Sequence, residues 1–196
     1  MGQYYQPTNI DKKESLYSHD YNNGLKLMEH SYIGNRFVAA AMLLLEDHDG
    51  AHTEHPTKDG SWSGDHFVWA GDYSEFAGSD DTRGIYEEAD NNRIQFGFSD
   101  LWPNEVGRYI VNLDKKEYVN LSKYIGQSEP DEWGFVIHPL PLLTCEGNGN
   151  GGGDFFGTDA GGVIGTWARD RITVVKKDKL PEGFTDITKK CNFKEK

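Results

Sequence analysis

The chain has 196 residues, a formal net charge of −12 and 13% aromatic residues, five of them Trp, with a sequence pI of about 4.9 and a mean hydropathy of −0.70. Phosphate backbones are held by clustered Lys and Arg that displace counterions, so this balance argues against general nucleic-acid binding. No run of 18 apolar residues and no apolar leader is present, so no membrane partner is expected.

In chain order, Tyr4–Asn9 and Ser15–Ser18 flank the polar turn Asp11-Lys-Lys, which predicts a hairpin. Pro7 pushes its first strand toward a sheet edge. Gly24–His30 sets Leu25 and Leu27 against Lys26 and reads as a third strand. Asn35 is placed to cap a helix from Arg36 to about Asp47, with Phe37, Ala40, Ala41, Leu44 and Leu45 on one stripe. A polar loop follows, then Trp62, then a strand over His66–Gly71. Thr82–Ala89 is a short helix weakened by Gly84, and Ser99–Val106 is a joint.

Beyond the joint the chain repeats itself. Gly2-Gln-Tyr-Tyr5 and Asn9-Ile-Asp-Lys-Lys-Glu14 return as Gly107-Arg-Tyr-Ile110 and Asn112-Leu-Asp-Lys-Lys-Glu117. Gly60-Ser-Trp-Ser-Gly-Asp65 returns as Gly165-Thr-Trp-Ala-Arg-Asp170. A second hairpin is therefore expected around Asp114-Lys-Lys and a closing strand over Arg171–Val175. The helix is not repeated. Pro139 and Pro141 leave room for a strand to Ile137 and a short helix opening at Pro141. The spacing is too long for a solenoid. It predicts an α+β fold of two pseudo-symmetric tandem repeats, residues 1–98 and 107–196 about a joint at 99–106, largely antiparallel and with few short helices. Lys176 to the end carries net +3, a basic tail expected to be solvated or to fold back.

Two segments invite chemistry. Glu146-Gly-Asn-Gly-Asn-Gly-Gly-Gly-Asp154 can aim successive amides at one anion. Gly149, Gly151, Gly152 and Asp154, with Arg169, Asp170 and Arg171, are the candidate ligand-binding residues. It lacks the Gly-Lys-Ser/Thr of a P-loop and the spacing of a dinucleotide fingerprint, and a surface loop or chain of tight turns is the structural alternative. Asp47-His-Asp-Gly-Ala-His52-Thr-Glu-His55 makes His48, His52 and His55 candidate metal ligands, against a solvated polar loop. Asp65 and Asp170 recur after the Trp residues. They are candidates for paired acids across a pseudo-twofold axis, or for turn-amide acceptors beneath a core Trp. No nucleophile elbow occurs, no catalytic residue can be assigned, and no cofactor is implied. Cys145 and Cys191 form no disulfide framework, which leaves a reducing cytoplasm as the expected location.

The repeated motifs, together with Gly24-Leu-Lys-Leu-Met-Glu29, Ala70-Gly-Asp-Tyr73, Gly147–Asp154 and Trp167–Ile172, resemble a family of uncharacterised bacterial proteins. The chain departs from that pattern at His48–His55. A looser similarity is to cytoplasmic immunity-type and SMI1-like domains. The resemblance implies no activity. The leading expectation is a non-enzymatic module that binds a protein partner, a basic one, through an acidic and aromatic surface. The alternatives are a protein for small anionic ligands or nucleotides, with enzymatic activity open, an acidic nucleic-acid mimic, and metal-dependent hydrolysis.

Overall fold

The computed structural model describes residues 2–47, 59–74, 84–95, 105–131, 133–146, 155 and 162–191. Two four-stranded sheets, five short α-helices and three 3-10 turns make up the regular structure of these residues, an α+β fold. One sheet holds β1 (Tyr5–Asn9), β2 (Glu14–Ser15), β3 (Phe67–Gly71) and β6 (Cys145–Glu146), in the order β2-β1-β3-β6. The other holds β4 (Arg108–Asn112), β5 (Glu117–Asn120), β7 (Ile172–Lys176) and β8 (Thr185–Asp186), in the order β7-β4-β5-β8. Among the strand pairs of the described residues, β3–β6 and β5–β8 run parallel and the others antiparallel. The helices are α1 (Leu27–His30), α2 (Arg36–Leu45), α3 (Ile85–Asp90), α4 (Leu121–Gln127) and α5 (Pro139–Thr144).

Each sheet is completed by chain from the other half of the sequence. β6 pairs with β3, and Glu46, just past α2, bridges Val174 of β7. Asp47 N donates to Val174 O at 2.7 Å, and the largely buried Glu46 carboxylate pairs with Arg108 at 2.9 Å. Strand alternation then sorts the core. Phe67 and Trp69, with Ile110, Ile172 and Val174, face a central cluster shared with Trp62, Trp167 and the apolar sides of α2 and α5. Val68 and Ala70 face outward beneath Ile85 of α3. Tyr109, Val111 and Val175 face outward beneath Leu180 and Phe184.

Several expectations change in the folded chain. β1 lies between β2 and β3 rather than at an edge. Leu16 N donates to Pro7 O at 3.3 Å, and the bond that Pro7 cannot return falls where β2 has already ended, so the proline is tolerated in an interior strand. Gly24–His30 is no strand. The Glu29 carboxylate accepts from Lys26 N at 3.0 Å and opens α1, which buries Leu27 and His30 one turn apart. α2 forms as expected, with Asn35 Oδ1 accepting from Phe37 N at 2.8 Å. α5 opens at Pro139, not Pro141, because the first-turn amides have no intrahelical partner to lose. His138 supplies its cap, Nδ1 accepting from Leu140 N at 3.0 Å. α4 went unread, although Asn120 caps it through Lys123 N. Gly84 stands before α3 as its cap residue rather than inside it. The basic C-terminal segment folds back as far as Cys191, the last described residue: β8 pairs with β5, Lys123 binds Asp186, and Ile187 and Cys191 are buried.

Candidate functional site

The two Trp turns converge. Gly60 N and Trp62 N donate to Leu43 O and Leu44 O at 2.8 Å each, tying the first turn to the end of α2. Gly165 N and Trp167 N donate to Leu142 O and Leu143 O at 2.9 and 2.7 Å, tying the second to α5. Both indoles are fully buried, so each Nε1–H needs an acceptor. Trp62 finds Glu14 at 2.8 Å and Trp167 finds Glu117 at 2.9 Å. The turns then meet, with His66 bridging Arg171, Phe67 N donating to Asp170 O at 3.0 Å and Ile172 N to Asp65 O at 3.1 Å.

Around this junction the charged side chains are arranged as two matching sets. Asp65 accepts from Asn9 at 2.8 Å and pairs with Lys12 at 2.8 Å; Asp170 accepts from Asn112 at 2.7 Å and pairs with Lys115. It is not Asp65 and Asp170 that accept turn amides but Asp11 and Asp114, from His66 N at 2.8 Å and Arg171 N at 2.7 Å. Partial burial raises the Asp11 carboxyl, yet the amide and ring of His66 outweigh it and hold it below its ordinary value. The Arg171 guanidinium and amide do the same for Asp114. Each set ties a Trp turn to the Asp-Lys-Lys turn of its own sheet, and the backbone bonds between the two Trp turns clasp the sheets together.

Of the candidate ligand-binding residues, Gly149, Gly151, Gly152 and Asp154 lie outside the described residues, as do His48, His52 and His55. The structure brings Arg169, Asp170 and Arg171 to the clasp. Arg169 pairs with Glu146 through Nε at 2.7 Å and Nη2 at 2.5 Å, and Asp170 and Arg171 bind the second Asp-Lys-Lys turn. Among the described residues no three His, Cys, Asp or Glu side chains are grouped to hold a metal ion. His30 and His138 are fully buried. Burial pushes His30 down to about 4 and His138 to about 3. His30 is held as a neutral ring between Gly24 O and the Trp69 indole N–H, at 3.1 and 3.0 Å.

What the sequence reading missed lies at the opposite extreme of burial. Trp133 is 74% exposed and Phe135 46%. Both stand on a turn organised by Asp131, whose Oδ1 accepts from Trp133 N at 2.9 Å and Phe135 N at 2.7 Å. Asp131 N donates to Phe135 O at 2.7 Å, Gly134 N donates to Asp131 O, and Gly134 has φ of 84°. Tyr32 stacks on Phe135 with centroids 4.6 Å apart, across the bridge from Tyr32 to Ile137. Two residues beyond Tyr32, Gly34 N donates to the Glu105 carboxylate at 2.8 Å, which brings the 71% exposed Val106 to the same end of the molecule. Burial raises the Glu105 carboxyl, tempered by the Gly34 amide. The signal was in the sequence as Asp131-Glu-Trp-Gly-Phe135, an Asp opening a turn with Gly at its fourth position.

Comparison of the chain with protein-family models, with curated proteins and with solved structures finds no match. Among the described residues no helix is long and apolar enough to cross a membrane.

Proposed function

We propose that this protein is a non-enzymatic binding module that engages a basic protein partner through the surface carrying Trp133, Phe135, Tyr32 and Val106. The observation that carries the reading is Trp133. A large aromatic side chain left mostly in water, on a turn whose Asp131, Trp133, Gly134 and Phe135 amides are already hydrogen-bonded, is the form taken by interface anchors. Glu129 and Asp131 precede it in the sequence, and the −12 net charge steers a basic partner toward the molecule. Two buried cysteines outside any disulfide, Cys145 and Cys191, support a cytoplasmic location. The reading also takes residues 1–98 and 107–196 as two copies of one unit, a view supported by the matched contacts of the two Trp turns.

The test is affinity capture with the full chain and with a Trp133→Ala, Phe135→Ala variant. A stoichiometric protein recovered by the wild-type chain and lost with the variant supports the reading; equal recovery by both, or none by either, overturns it. The small-anion alternative rests on Arg169 and Arg171. If a nucleotide and phosphate-ester panel raises the melting temperature of the wild-type chain, and Arg169→Ala removes the shift, that alternative displaces this one.

A further inference from the structure

Resting on the protein-binding reading above, we infer that the partner is a folded protein presenting an apolar pocket with a basic rim, into which the Asp131–Phe135 turn inserts with Trp133 as its tip. Three observations point this way. The first is hydrogen bonding. The N–H groups of Trp133, Gly134 and Phe135 and that of Asp131 are all satisfied within the turn. Strand addition by an extended peptide would need such groups free, so the turn offers side chains rather than main chain.

The second is shape and stiffness. Trp133, Gly134 and Phe135 are consecutive exposed residues on a tight turn, so the feature is a knob and its complement is a hollow. Tyr32 backs Phe135, and Ile33 N donates to Val136 O at 2.8 Å behind the turn. The knob is therefore braced before it meets anything, and little conformational freedom is lost on insertion. The third is charge. The chain carries a net charge of −12, which disfavours a second copy of this chain and favours Lys or Arg around the hollow.

Amino-substituted β-cyclodextrin is an apolar hollow with a cationic rim, and can be titrated into the full chain by calorimetry beside neutral and carboxymethylated β-cyclodextrin. The cationic host is expected to bind about five-fold or more tightly than the neutral one, and the anionic host more weakly than either. Trp133→Ala, a change at an exposed position, should abolish the cationic preference, whereas Trp133→Phe should retain it. Asp131→Ala should weaken all three hosts because the turn loses its internal acceptor. Equal affinity for cationic and neutral hosts, or cationic preference unchanged in Trp133→Ala, overturns the inference. If capture of a partner still depends on Trp133 while the hosts show no charge preference, the basic rim is discarded and protein binding stands. If no protein is captured at all, the inference falls with the reading beneath it.

Discussion

The Trp62 turn and the Trp167 turn carry out the same construction with different residues. Each indole is buried and bonded to a glutamate at the start of a hairpin strand, and each following Asp is held by an Asn and a Lys. They differ at the fifth residue. Gly64 and Arg169 both sit at positive φ, 78° and 68°. Glycine takes that conformation freely, whereas arginine is strained in it. The second turn accepts the strain and sets a guanidinium on Glu146, the residue before the Gly-rich segment. They differ again one residue beyond Asp, where His66 stands in one turn and Arg171 in the other, each on its own Asp. The lesson is that backbone geometry and the buried indole are held constant between the turns, while the exposed positions are free to diverge.

The largest test of that equivalence is to remove each indole. Trp62→Ala and Trp167→Ala should each cost about 3–5 kcal/mol in urea unfolding, with the two values alike. Should either variant fail to fold, Trp62→Phe and Trp167→Phe, which delete the Nε1–H bond and keep most of the ring, provide the same comparison. A difference above about 2 kcal/mol between matched variants would show that only one turn holds the sheets together.

Acid should act on both halves through their buried histidines, His30 and His138. His30 is neutral in the fold down to about pH 4 but takes up a proton near pH 6.5 when unfolded. Its folded value is depressed, so its contribution is complete above about pH 6.5 and is lost as pH falls toward 4, on the order of 3 kcal/mol. Unfolding midpoints across that window should fall steadily in the wild-type chain and less steeply in His30→Gln. An unchanged slope would mean that His30 does not set the acid response.

Smaller effects address the divergent positions. Gly64→Ala should destabilise by about 1 kcal/mol, since its Cβ meets only ordinary contact, 3.7 Å from Leu113, and the cost is backbone strain. At Arg169 the ordering reverses. Arg169→Gly should be more stable than Arg169→Ala by about 1 kcal/mol, because both lose the Glu146 pair and only glycine relieves the strain. Smallest of all, His66→Arg, which makes that position match its counterpart, should move stability by less than about 0.5 kcal/mol, as expected for an exposed site.

Local chemistry was legible wherever it was self-contained. The Asp-Lys-Lys hairpins, the Asn35 cap of α2, the closing strands after each Trp and the α+β class all follow from turn residues, capping geometry and period-2 or period-3.6 patterning, which neighbouring residues dictate. Leu25-Lys-Leu27 misled because three alternating residues cannot outweigh one carboxylate, that of Glu29, bonded to the Lys26 amide. Pro7 misled because its cost depends on where β2 ends, a property of the sheet rather than of the strand. Trp133 misled because the run to Ile137 reads as a strand where the structure has a turn, and an aromatic residue looks the same in sequence whether it is core or surface. Only the chain around it leaves it in water, by burying Trp62, Trp69 and Trp167 instead. The exchange of β6 and Glu46 between the sheets, and the closure of the clasp at His66 and Arg171, join residues about a hundred positions apart. No local signal encodes such pairings. They are decided when the two apolar faces collapse on one core and each sheet edge takes the nearest free backbone to satisfy its hydrogen bonds.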